Sequence, residues 1–429
     1  MTQKKSINSK VLYIIYFAIG ARILTIVKDM LTASKIGAND KMDSYLLAFG
    51  AIMLLTKIIG DGIVVSLIPI LQEIQHKHGT DRRMNYTNNL LNITIIVSLG
   101  VIVIGFVAAP LIVKLFGPGF KGLELRDSVL LFKLGLPMVA LTWIRAIGAG
   151  FLQAEHAFRA GAKGGVSSVL VYIIYLLLFI GDFGIRGLMV VGSFAIISQI
   201  YIIFKAMKKI GYKYEWKLNL RDNYLPKVIK VLLPILAGIS INEVNNAVDT
   251  AIASTLPSGS IAELSYANDI ISLFLGLFIS AIVTVLFPIM SESYNKGEEE
   301  KLKNGVKYYI KTILTLTLPI SILLILIPDP IVKIFFERGA FDAEASFLTA
   351  KVLGYYALGL PAMAILPLIT RAYYSIRDMR RPVVISILSL ILNIVVDLLL
   401  APTMGAAGLA LGTSISVIFA VLLGIYNLR

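Results

Sequence analysis

The chain has 429 residues, 57% hydrophobic and 15% charged, with no cysteine and a formal net charge of +14. A mean hydropathy of +0.82 exceeds what a water-soluble core of this length needs, so a polytopic membrane protein is expected. Without cysteine, disulfides, thiolate metal sites and cysteine nucleophiles are excluded.

Windows of about 20 apolar residues place twelve spans near 11–34, 44–72, 89–116, 128–154, 162–181, 186–206, 226–254, 262–290, 308–335, 346–371, 382–401 and 405–428. The lead MTQKKSINSK (1–10) is basic and has no small-residue cleavage site after it, so no cleaved signal peptide is expected. Lys and Arg crowd into alternate connections: HKHGTDRR (76–83), the stretch 205–227, NKGEEEKLKNGVK (295–307) and RAYYSIRDMRR (371–381). The connections TLPSGSIAE (255–263) and APTMG (401–405) carry neither. By the positive-inside rule both termini are cytoplasmic, and the basic charge reports topology and contact with membrane lipid, not nucleic acid.

The first half recurs in the second. SLIPILQEIQHKHG (66–79) aligns with VLFPIMSESYNKGE (285–298), PLIVKLF (110–116) with PIVKIFF (330–336), LGLP (134–137) with LGLP (358–361), and KDMLTAS (28–34) with VDTAIAS (248–254). Six spans per half is an even number, so both copies insert with the same orientation, as in transporters built from parallel repeats. The expected fold is therefore an all-α polytopic membrane protein of about twelve transmembrane helices. They form two pseudo-repeated six-helix lobes (1–207 and 225–429) around a central cavity, joined by a cytoplasmic basic linker (208–224).

Charges within the spans carry the chemistry. A charge at the centre of a membrane helix costs about 2.5–3.5 kcal/mol on insertion scales, so such residues face a cavity, a partner or an ion. The first span holds Arg22, Lys28 and Asp29, and the second holds Lys57 and Asp61, four residues apart on one face. Arg22 has no carboxylate three or four residues away, and its planar fork suits phosphate oxygens. These five are the candidate substrate-binding residues, for an anionic headgroup. An internal ion pair between Lys57 and Asp61 that merely permits insertion is the alternative for that pair.

A second set lies in the other half. Asn242, Asn246 and Asp249 follow helical spacing in INEVNNAVDTAIAS, Asn393 and Asp397 lie four apart in NIVVDLLL, and Thr413 belongs to the last span. At 1.5 Å per residue, Asp249, Asp397 and Thr413 lie roughly 9, 8 and 12 Å from the outer ends of their helices. Two carboxylates at one level repel unless protonated or bridged by a cation. A donor set of oxygens alone suits a hard cation, and sodium fits a secondary transporter. Interhelical hydrogen bonding alone and proton coupling through the same acids are the alternatives. No other cofactor is expected.

An enzyme is the first rival class. The histidines, His76, His78 and His156, fall in connections, and no nucleophile–base pair or metal-ligand spacing stands out.

The stretch ARILTIVKDMLTASKIGANDKMDSYLLAF (21–49), followed by GDGIVVSLIPIL (60–71), resembles the opening of the MurJ (MviN) lipid II flippases. These belong to the multidrug/oligosaccharidyl-lipid/polysaccharide (MOP) exporter superfamily. RAYYSIRDMRRPV (371–383), with the span through Asp397 and AGLALGTS (407–414), resembles the same family. The resemblance implies outward translocation of a polyprenyl-diphosphate-linked cell-wall precursor across a bacterial plasma membrane, by alternating access, by a monomer. It also implies a sodium site of Asp249, Asn393, Asp397, Thr413 and the backbone carbonyl of Leu409. Thr56-Lys57 stands where the family carries Arg-Arg, Val169 replaces an asparagine, and a further arginine position falls at or next to Asp269. Twelve spans are expected where typical members have fourteen. Another lipid-linked polysaccharide unit, or a drug as in related multidrug exporters, is the alternative cargo.

Overall fold

The computed structural model describes the backbone of residues 2–295, 298–376 and 378–427. Side chains of 1–16, 18, 233–235, 237–239, 242, 277–289, 291–297, 299, 302–303, 377 and 428–429 lie outside the description. Asn242 is among these.

Helix occupies every expected span. The elements are α1 (Thr2–Ile36), α2 (Asp40–Phe116), α3 (Gly122–Gly135), α4 (Pro137–Ala154), α5 (Arg159–Leu178), α6 (Ile180–Lys209) and α7 (Leu225–Ala253). They continue as α8 (Ser260–Asn295), α9 (Glu299–Leu326), α10 (Pro328–Phe335), α11 (Ala343–Ser375), α12 (Arg380–Met404) and α13 (Ala406–Asn427). Among the described residues, eight helical stretches are long and apolar enough to cross a membrane. One of them, α2, holds two expected spans and turns at Gly79, whose φ of 79° suits a residue without Cβ. Two other expected spans are each split at a proline-led start, α3/α4 before Pro137 and α9/α10 before Pro328.

The chain forms two compact units, 1–31 with 44–247 and 32–43 with 248–429. The division falls inside α7 and at the α1–α2 corner, where the sequence reading drew it at the linker. Close packing in the first unit accounts for this: a Cβ at Gly62 of α2 would meet Leu232 and Leu236 of α7 at 2.6 and 2.9 Å. The 32–43 corner belongs to the second unit. Ala340 N–H donates to the Ser34 carbonyl at 2.8 Å, and Asp43 accepts from the Gly259 and Ala262 amides at 2.7 and 2.8 Å. Those amides open α8, where a carboxylate offsets orphan donors and the helix dipole. In the core of this unit Leu368, Tyr373, Ile385 and Val421 bury one another, and the Tyr373 hydroxyl donates to the Gly424 carbonyl at 2.8 Å.

The linker is tied down along its length. Asn88, Asn89 and Asn92 share one buried face of α2. Their side-chain amides donate to the carbonyls of Lys213, Asn219 and Lys217 at 3.0, 2.9 and 2.8 Å. Asn89 Oδ1 also accepts from the Asn219 amide at 2.6 Å, and Asn92 Oδ1 from the Tyr214 hydroxyl at 2.7 Å. Arg82 then pairs with Asp222 at 2.8 Å, and His78 Nε2 lies 3.1 Å from the Tyr224 hydroxyl. The Lys217 ammonium beside Glu215 holds that carboxyl below its ordinary range. Because Asn89 satisfies both backbone groups of Asn219, Asn89→Ala should cost about 1–3 kcal/mol. The expected readout is faster tryptic cleavage after Lys217 together with a lower thermal midpoint.

Candidate functional site

In the first unit, α1 places Arg22 half-buried at mid-span, its Nε inaccessible and without a hydrogen-bond partner among the described residues. Lys28 pairs with its neighbour Asp29 at 2.5 Å and lies 5.7 Å from the centre of the Tyr172 ring on α5. Lys57 does not pair with Asp61, as its spacing had suggested. Its ammonium lies 2.6 Å from Glu243 on α7, because α7 packs beside α2 and brings a carboxylate within reach of the long side chain. The Asp61 charge instead acts on Arg145 of α4, without an ion pair between the two among the described residues.

Glu243 and Arg145 were missed in the sequence. Neither has an opposite charge three or four residues away in its own span, and the charge each one meets lies far away along the chain. The five predicted anion-site residues all fall in this unit. Lys57 and Asp61 lie on an open row of α2 and Asp29 is buried. On α1 and α2, Lys28 and Lys57 each pair with a carboxylate, which leaves Arg22 as the cation there whose charge an incoming anion can meet most freely.

The second unit holds the other set. Gly405, with φ 62°, ends α12. A Cβ at Gly408 would lie 2.7 Å from the Leu400 carbonyl oxygen, so α13 folds back hard against α12. One turn further, a Cβ at Gly412 would overlap the Asp397 carboxylate and lie 3.5 Å from Asn393 Nδ2. On the other side Gly359 of α11 meets Ser414, whose hydroxyl donates to the Tyr355 carbonyl at 2.7 Å.

These close approaches converge on one spot. Asn393 is 1% exposed and Asp397 0%, and the carboxyl of Asp249 on α7 lies beside that of Asp397. Thr413 Oγ1 donates to the Leu409 carbonyl at 3.0 Å. Asp249, Asn393, Asp397 and Thr413 are therefore neighbours, and Leu409 lies one turn before Thr413 on α13. Tyr356 of α11 joins them, close to Asp249, Asp397 and Thr413. It was missed because two adjacent tyrosines among the aliphatics of LGYYALGLP carry no polar pattern.

Among the described residues no atom of the Asn393 amide or the Asp397 carboxylate makes a hydrogen bond of good geometry, although the Asn393 and Asp249 side chains lie against the Asp397 carboxyl. Buried polar atoms are nearly always satisfied, so a cluster of orphans is where an ion or a proton belongs. The set is oxygen-rich and lacks sulfur and imidazole, which fits a hard cation and fits neither zinc nor copper.

A family model described as lipid II flippase MurJ matches residues 32–429. A probable lipid II flippase MurJ of Buchnera aphidicola subsp. Schizaphis graminum is 28% identical over 408 residues, 92% of this chain and 78% of that protein. One from Rickettsia prowazekii is 27% identical over 406 residues, again 92% and 78%. Among solved structures, a lipid II flippase MurJ in an inward closed conformation matches with a TM-score of 0.83 at 24% identity, over 97% of this chain and 87% of that one. An inward-facing multidrug resistance MATE family transporter of the MOP superfamily matches with a TM-score of 0.77 at 15% identity, over 95% and 94%. The two structures establish a shared helical fold.

Proposed function

The chain belongs to the lipid II flippase MurJ family, which are multi-pass membrane transporters and not enzymes, and from that premise we propose a specific cargo and driving ion. It moves a polyprenyl-diphosphate-linked cell-wall precursor, lipid II or a closely related lipid-linked glycan, from the inner to the outer leaflet of a bacterial plasma membrane. Both termini are cytoplasmic, and the working form is a monomer. The observation that carries the reading is Arg22, a mid-span guanidinium with a buried, unmatched Nε and a geometry suited to phosphate oxygens.

Arg22, assisted by Lys28 and Lys57, holds the diphosphate while the polyprenyl tail stays in lipid. Asp29, Glu243 and Asp61 keep the neighbouring cations neutralised between cycles. Alternating access then exposes the headgroup on the outer side, and an inside-negative potential favours outward passage of an anion.

Sodium is the coupling ion on this reading, held by Asp249, Asn393, Asp397, Thr413 and the Leu409 carbonyl. Its inward movement yields about 2.3 kcal/mol per charge for each 100 mV. The reading is supported by the orphaned oxygens of Asp397 and by two neighbouring carboxyls that one amide cannot satisfy.

Expression in a strain depleted of its own lipid II flippase tests the cargo. Rescue of growth is expected, and lysis despite normal membrane levels of the protein would point to a different lipid-linked glycan. For the ion, Asp397→Asn should remove the rise in thermal midpoint that sodium, but not potassium, gives the purified protein. If the wild type instead responds to pH with no response to sodium, the acids carry protons.

A further inference from the structure

Helices α2 and α4 run side by side in the same direction. A Cβ at Gly60 would lie 3.3 Å from Thr142 Cγ2, and one at Gly150 would lie 3.2 Å from Leu67 Cδ2 and 3.6 Å from Val64 Cα. Between those contacts, Asp61 and Arg145 occupy the same stretch of the interface, and the carboxylate acts on the guanidinium. Asp61 also belongs to an open row on α2, Lys57, Asp61 and Val65, all exposed at four-residue spacing. An exposed charged row within a span marks a watered path, since lipid would not tolerate it.

Depth gives the row an order. At 1.5 Å per residue, Arg145 lies about 14 Å from the inner end of its span (128–154). By the same measure Arg22 lies about 17 Å in, Lys57 about 23 Å and Lys28 about 26 Å. Arg145 is thus the lowest of four cations rising through one unit in steps shorter than a diphosphate with its first sugar.

We propose that Arg145 is a substrate-binding residue, the one of these four cations nearest the inner side and so met before Arg22 by a diphosphate headgroup arriving from there. Asp61 neutralises it while the path is empty and yields it to phosphate oxygens, which take the guanidinium two at a time. The proposal rests on the flippase reading and extends it to a residue on a helix outside the α1–α2 set.

The test compares Arg145→Gln, Asp61→Asn and the double variant. Three measurements are made: binding of a short-chain polyprenyl diphosphate in detergent, flipping of a fluorescent polyprenyl-diphosphate-linked glycan in proteoliposomes, and thermal midpoint. Arg145→Gln should weaken binding and slow flipping at least tenfold, while Asp61→Asn should tighten binding. The double variant should regain the wild-type midpoint yet bind as weakly as Arg145→Gln. Wild-type binding by Arg145→Gln, or recovery of both binding and flipping in the double variant, would overturn the proposal and leave a pair that serves insertion alone. A wild type that binds through Arg145 yet flips nothing would sink the flippase reading and keep this one. A wild type that binds no diphosphate would sink both.

Discussion

Arg22→Ala is expected to abolish flipping of a diphosphate-linked lipid in proteoliposomes while the protein still accumulates and folds. Arg22 lies about 17 Å from either end of its span, so truncation cannot be offset by the side chain of a nearby interfacial residue. Its Nε has no partner among the described residues. Among the described residues no carboxylate pairs with Arg22, so on its removal the thermal midpoint should hold or rise. Loss of a charge-assisted hydrogen-bond pair to phosphate is worth about 3 kcal/mol, roughly a hundredfold in binding. Arg22→Lys should recover part of this, because it keeps the charge and loses the fork. Flipping at the wild-type rate by the alanine variant would remove the headgroup role.

Gly412→Ala is expected to be the most damaging single change in the second unit. The added methyl would occupy the place of the Asp397 carboxylate. The helices cannot part to admit it, because Gly408 already sits against the Leu400 carbonyl. Overpacking of this kind costs about 1–3 kcal/mol, and here it also displaces a proposed ion ligand. A lowered midpoint with no sodium response is the expected result. Gly354→Ala is the control: it adds a methyl where nothing lies within 4 Å and should stabilise α11 by about 1 kcal/mol. Equal behaviour of the two variants would show that the contact at Gly412 is unimportant.

The sequence made the spans legible because apolar runs of membrane length are a strong signal, and helix occupies all twelve. It also made the oxygen cluster legible, since Asp249, Asn393, Asp397 and Thr413 are polar residues at matching depth in greasy helices. Charge partners were harder to read. The rule that charges four apart share a face suggested Lys57 with Asp61, but Glu243 stands 186 residues from Lys57 and takes it. Nothing local marks that choice, nor the docking of Tyr356 beside Asp397.

The α12–α13 hairpin has a consequence for how the protein is made. Asn393, Asp397, Leu409 and Thr413 all fall within 393–413, and the glycine corner brings them together by closing a very short loop. Loop closure of that length carries little entropic penalty, so most of the oxygen cage is encoded as one local fold-back. Asp249 must wait for that fold-back to be inserted before its carboxyl finds its neighbours, which makes insertion of the α12–α13 pair the step that completes the site during biogenesis.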